Sequence, residues 1–115
     1  MAAGKRWTVL DREGNSIYLT EERWRHIKDS ENHPEMGAHE QHLKSTLQVG
    51  RRRQEALNPR KYRYSQAIDD LPGDFNHLVA IVLFGFDVSD SGDTVPNNFV
   101  VTAFLKHIQL KGGQK

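Results

Sequence analysis

The sequence predicts a single α+β domain, and three observations carry that prediction. Its 115 residues suit one domain and are too few for two ordinary ones. The periodic segments fall as a hairpin, two helices and then a run of strands, without the strand–helix alternation of α/β folds. The longest apolar run, Leu78 to Phe86, is strand-sized and far below the roughly 18 residues of a membrane span. A chain of this length buries about two-thirds of its unfolded surface and needs no metal or disulfide to fold. There is no cysteine, which removes disulfide scaffolds, thiol nucleophiles and thiolate metal sites. The first residues lack the apolar core of a signal peptide, so a cytoplasmic protein with no membrane partner is expected. One domain over 1–115 is expected, with its ordered core at about 6–109.

Trp7 to Leu10 and Ser16 to Leu19 flank Asp11-Arg12-Glu13-Gly14-Asn15, a turn with residues that tolerate positive φ, so an N-terminal hairpin is expected. A helix over Thr20 to Glu31 follows. Thr20 is its N-cap, Glu21 and Glu22 lie where the dipole favours negative charge, and Leu19 with Trp24 forms a hydrophobic staple. Pro34 requires the helix to stop before it. A second helix is predicted from Glu35 or Gly37 to Val49, because Met36, Glu40, Leu43 and Leu47 share one side and Gly50 is placed to end it.

The rest reads as a four-stranded antiparallel meander. Arg51 to Leu57 and Lys61 to Ile68 are strands joined at Asn58-Pro59-Arg60. Leu78 to Phe86 has the continuous apolar character of a central strand, and Phe99 to Leu105 is the last. Asp69 to Asn76 and Asp87 to Asn97 read as loops, and no internal repeat is present.

Net charge is only +1, yet Arg51 to Tyr64 holds six cations (Arg51, Arg52, Arg53, Arg60, Lys61, Arg63) against Glu55 alone. Such a cluster fits a phosphate-binding footprint and, equally, a charge-guarded strand edge. Guanidinium groups match phosphate oxygens in pairs. Alternation along a strand turns Arg52 away from Arg51 and Arg53, and sets Tyr62 and Tyr64 opposite Lys61 and Arg63. The tyrosines suit stacking on bases and also ordinary core packing. Thr102 reads first as a packing residue.

Six histidines are present: His26, His33, His39, His42, His77 and His107. His26 and His33 frame the end of the first helix, and imidazole titrates where acid–base catalysis needs it, though a helix end also stabilises a histidine for purely structural reasons. His39 and His42 are spaced three apart, one residue too tight for the HExxH zinc pattern, so no metal is expected.

Taken together, Trp24-x-His26-Ile27, His33-Pro34-Glu35, the arginine strand, Asn58-Pro59, Lys61-Tyr62-x-Tyr64 and Phe99-Val-Val-Thr102-Ala-Phe104 resemble a known family. It is the phage- and mobile-element-associated branch of the barnase/EndoU/colicin/RelE-like (BECR-fold) ribonuclease superfamily. The likeness covers roughly Ile17 to Ile108. It implies a hairpin and two helices packed on a curved four-stranded antiparallel sheet, and metal-independent cleavage of RNA to a 2′,3′-cyclic phosphate without a cofactor. On this resemblance His26, His33, Arg52 or Arg53, Tyr64 and Thr102 are the expected catalytic residues. Arg51, Arg60, Lys61, Tyr62 and Arg63 are the expected RNA contacts. An antitoxin or immunity protein is an expected partner. A non-catalytic nucleic-acid or protein-interaction module on the same fold is the alternative.

Overall fold

The computed structural model describes residues 4–109. β1 (Lys5–Leu10) and β2 (Ser16–Thr20) form the expected antiparallel hairpin. Its turn is organised by Asp11, whose carboxylate accepts from the backbone N–H groups of Glu13 and Asn15 at 2.9 and 2.8 Å. Gly14 supplies the left-handed residue, with φ 85°.

α1 (Glu21–Ile27) begins as its sequence dictates, with the Thr20 hydroxyl accepting from the Arg23 N–H at 3.0 Å. Leu19 and Trp24 are both buried, which closes the staple. The helix stops at Ile27, four residues before the predicted end, because side chains compete for the backbone. Asp29 accepts from the Glu31 N–H at 2.9 Å, and Asn32 donates to the His26 carbonyl at 3.1 Å. The predicted second helix divides into a 3-10 turn, Pro34–Ala38, and α2, Glu40–Val49. Met36, Leu43 and Leu47 are fully buried nonetheless.

β3 (Arg51–Glu55), β4 (Asn58–Ala67), β5 (His77–Leu83) and β8 (Asn98–Lys106) lie side by side and antiparallel. The sheet has six strands rather than four, in the order β1-β2-β8-β5-β4-β3. The hairpin joins it through a short parallel pairing, Ile17 with Asn98 and Tyr18 with Phe99. Asn98 bolts this junction: its amide donates to the Ser16 carbonyl at 2.9 Å and its oxygen accepts from the Gly85 N–H at 3.2 Å.

Two further expectations are corrected. The turn between β3 and β4 is Ala56-Leu57, while Asn58 to Arg60 already belong to β4. The segment read as a loop from Asp87 to Asn97 contains a two-stranded arm, β6 (Phe86–Val88) with β7 (Thr94–Pro96), separate from the main sheet.

Helices and core occupy one face of the sheet, with Tyr64, Leu78, Ala80, Val82, Val100, Ala103 and Leu105 buried among them. Among the described residues no helix is long and apolar enough to cross a membrane.

Candidate functional site

The registers place every strand residue on one face or the other. Arg52 lies opposite Tyr64, and Tyr64 opposite Ala80, so all three belong to the helix-covered face. Arg53 lies opposite Arg63, Arg63 opposite Ile81 and Ile81 opposite Thr102, a row across four strands on the open face. A second row runs Arg51, Ser65, Val79, Phe104. The open face thus carries Arg51, Arg53, Lys61, Arg63 and Lys106 around an apolar middle of Val79, Ile81 and Leu83.

Between β3, β4 and the end of β8 this face forms a broad open groove. Arg51, Arg53, Arg63, Lys106 and His107 line it, with Glu55 the one acid in its wall among the described residues. Arg51, Arg53 and Arg63 have no carboxylate within ion-pair distance among the described residues, so their charge faces solvent.

The residues expected to act together are divided by the sheet. Tyr64 is 1 % exposed, and its hydroxyl donates to Asp11 Oδ2 at 2.6 Å. Burial, then the Asp11 carboxylate, push the Tyr64 phenol far above its ordinary range. It is a tie between hairpin turn and sheet, with its proton committed. Arg52 stacks on the Tyr62 ring at 4.4 Å and reaches Glu13 at 3.6 Å, also away from the open face. Tyr62 packs at 4.6 Å on Phe84, and the Arg60 guanidinium donates to the Phe84 carbonyl at 3.0 Å.

Thr102, Arg53, Arg63 and Lys61 remain on the open face. His33 joins its border, its ring 5.5 Å from Phe104 and its Nδ1 3.6 Å from a Glu35 carboxylate oxygen. His26 sits on α1 beside Thr20, Glu22 and Arg23.

Two histidines that no local pattern singles out stand where β8 runs out, one row beyond Phe104 on the same face. His77 pairs with Lys106 across β5 and β8, and His107 lines the groove. Asn76 is pinned by the Ile108 backbone, accepting from its N–H at 2.8 Å and donating to its carbonyl at 3.0 Å. Its oxygen therefore accepts from His77 Nδ1–H at 2.8 Å. His107 Nδ1 donates to the Asp74 carbonyl at 2.8 Å. Both rings are left with Nε2 as the basic nitrogen. Burial, with the neighbouring His107, holds the His77 pKa below its ordinary 6.5. Only the register of β5 against β8 brings these two together, which no local pattern encodes.

His39 and His42 meet at 3.2 Å between their Nδ1 atoms, and His42 Nε2 lies 3.8 Å from Asp70. No group of three or more potential metal-ligating side chains occurs among the described residues. No family model matches the chain, and neither a curated protein nor a solved structure is significantly similar to it.

Proposed function

We propose that the protein binds RNA across the open face of its sheet. The observation that carries this reading is the set of arginines without a carboxylate partner among the described residues, Arg51, Arg53 and Arg63, spread over adjacent strands with Lys61 and Lys106 beside them. Planar guanidinium groups hold phosphate oxygens two at a time, and strand spacing of about 4.8 Å distributes them along a backbone rather than around one small anion. Fluorescence anisotropy with a labelled RNA oligonucleotide tests it. Binding should weaken steeply with salt, and Arg53→Ala/Arg63→Ala should flatten the log–log slope by roughly 1.4, about 0.7 per lost contact on a single strand. Salt-independent binding, or an unchanged slope in the double variant, would contradict it.

Cleavage of that RNA is the second reading, favoured by the His33–Glu35 pair at the border of the same face. A carboxylate beside an imidazole orients it as a base. On this reading His33 removes the ribose 2′-OH proton, the 2′-oxygen bonds to phosphorus, and the bond from phosphorus to the 5′-oxygen breaks. Arg63 holds the charge gathering on the phosphoryl oxygens, and Arg53 a neighbouring phosphate of the same strand. His26 returns a proton to the leaving oxygen, the role for which Tyr64 is too deeply buried. Proton transfer and charge stabilisation are both met by side chains, so the reaction runs in EDTA. Kin to the BECR-fold nucleases, and an antitoxin or immunity partner, belong to this reading. Cyclic-phosphate ends that fall about 10²- to 10⁴-fold in His33→Ala would support it. Equal loss in His107→Ala but none in His33→Ala would move the chemistry to His107, in the wall of the groove.

A further inference from the structure

One side of the open face remains unused by the phosphate-binding surface, and it has a different character. The parallel pairing of β2 with β8 lasts for two residue pairs, ending at Tyr18 and Phe99. Past that point lies a pocket of about 210 Å³, lined by Tyr18, Thr20, Arg23, Phe99 and Val100. Its walls are two aromatic rings 6.1 Å apart and tilted by 39°, with a buried valine among them. The Tyr18 ring is held in place, its hydroxyl bonded to Asn97 Oδ1 and the Lys5 ammonium 4.3 Å from its centroid. Burial, then the Asp87 carboxylate, raise the Tyr18 pKa, so the phenol stays neutral and the wall uncharged at physiological pH. Its two aromatic walls lie on the same face as the cations: Lys61 pairs with Leu83, Leu83 with Phe99 and Phe99 with Tyr18.

We propose that this pocket takes one unpaired nucleobase, so that the RNA bound by the open face is single-stranded there. The inference rests on the RNA-binding reading above. Every base has a flat π-face that packs on aromatic rings, whereas a base inside a duplex is already stacked and cannot enter a pocket. Arg23 in the pocket wall, and Lys5 over the Tyr18 ring, are the cations available to the phosphates flanking an inserted base. A bare phosphate or sulfate would gain nothing from Tyr18, Phe99 and Val100, and an apolar peptide would gain nothing from the surrounding cations. The combination fits a ligand that alternates flat apolar rings with negative charge.

The test compares a fluorescein-labelled single-stranded RNA decamer with the same strand in a duplex, against wild type, Phe99→Ala and Phe99→Leu. Thermal unfolding confirms the fold of each variant, and Phe99→Leu keeps the apolar volume should alanine weaken it. Wild type should prefer the single strand. Both variants should lose about 5- to 150-fold in single-strand affinity, the range of one aromatic–base stack, and little for the duplex. Equal affinity for both RNAs, unchanged in the variants, would overturn the base pocket while leaving the RNA-binding face standing. Binding of neither RNA by wild type would overturn both.

Discussion

Asp11 shows how much one side chain can tie together. Its carboxylate accepts from two backbone N–H groups of its own turn, from the Asn15 amide at 2.9 Å and from Tyr64 across the molecule. Burial opposes its ionisation, but these hydrogen bonds outweigh that cost and hold its pKa below 3.8. The Arg6 guanidinium, against desolvation, likewise holds Glu40 below 4.5, with the Trp7 indole donating at 2.7 Å. Carboxylates with depressed folded pKa values stabilise fully above their unfolded values, and that contribution disappears as pH falls through the folded ones. His77 acts earlier: its folded pKa lies below 6.5, so the unfolded chain binds its proton first and stability begins to fall below about pH 6.5. Chemical denaturation as a function of pH should therefore show a shallow decline below about 6.5 and a steeper one below about 4. Tyr64→Phe should cost about 1–3 kcal/mol by leaving Asp11 short of a buried donor, and should flatten the steeper limb. At this scale the sequence was only partly legible. The cap at Thr20, the staple of Leu19 on Trp24 and the opposite facing of Arg52 follow from local spacing. The Asp11–Tyr64 bond spans 53 residues and has no local signal, so Tyr64 reads equally as a base-stacking aromatic or as core packing, and its tie to the hairpin turn is not legible.

Joints between elements explain the glycine and asparagine that end or link them. Gly50 follows α2 with an ordinary φ of −71°, so positive φ is not what requires it. A Cβ there would sit 2.4 Å from the Thr46 carbonyl oxygen and 2.7 Å from that of Ser65, both backbone atoms. The missing side chain lets α2 turn directly into β3, and so sets the arginine strand on the sheet edge. Gly50→Ala should destabilise by about 1–3 kcal/mol, as overpacking does, measured by thermal or urea unfolding. Asn98→Ala should cost a similar amount, because the Ser16 carbonyl and Gly85 N–H at the β2–β8 junction would lose their partner. Glycine at the end of a helix is legible from sequence. That it is demanded by close approach rather than by conformation is not, since the obstructing Ser65 comes from another strand. The arm over Phe86 to Pro96 is illegible for a different reason, and Asp87 to Asn97 reads as a loop. Its Asp, Ser and Gly residues form the turn, while its two three-residue strands are too short to show an alternation.

For the whole molecule, the deciding property is the asymmetry of the sheet. One face is closed by α1, α2 and the hairpin turn, and the other gathers cations around an apolar middle. The strand content and the basic cluster of β3 and β4 were evident from the sequence, because alternation and charge are local. The six-strand order, the parallel joint and the convergence of His77, His107 and Lys106 depend on pairings between distant segments. The most direct test of the account is NMR of arginine side-chain Nε–Hε groups during titration with single-stranded RNA. Arg52 and Arg53 are sequence neighbours on opposite faces, which makes one the control for the other. The account predicts that the Arg51, Arg53 and Arg63 signals shift with a common affinity while Arg52, held between Glu13 and Tyr62, stays in place. Shifts at Arg52 with Arg53 and Arg63 unmoved would show that the open face is not the binding surface.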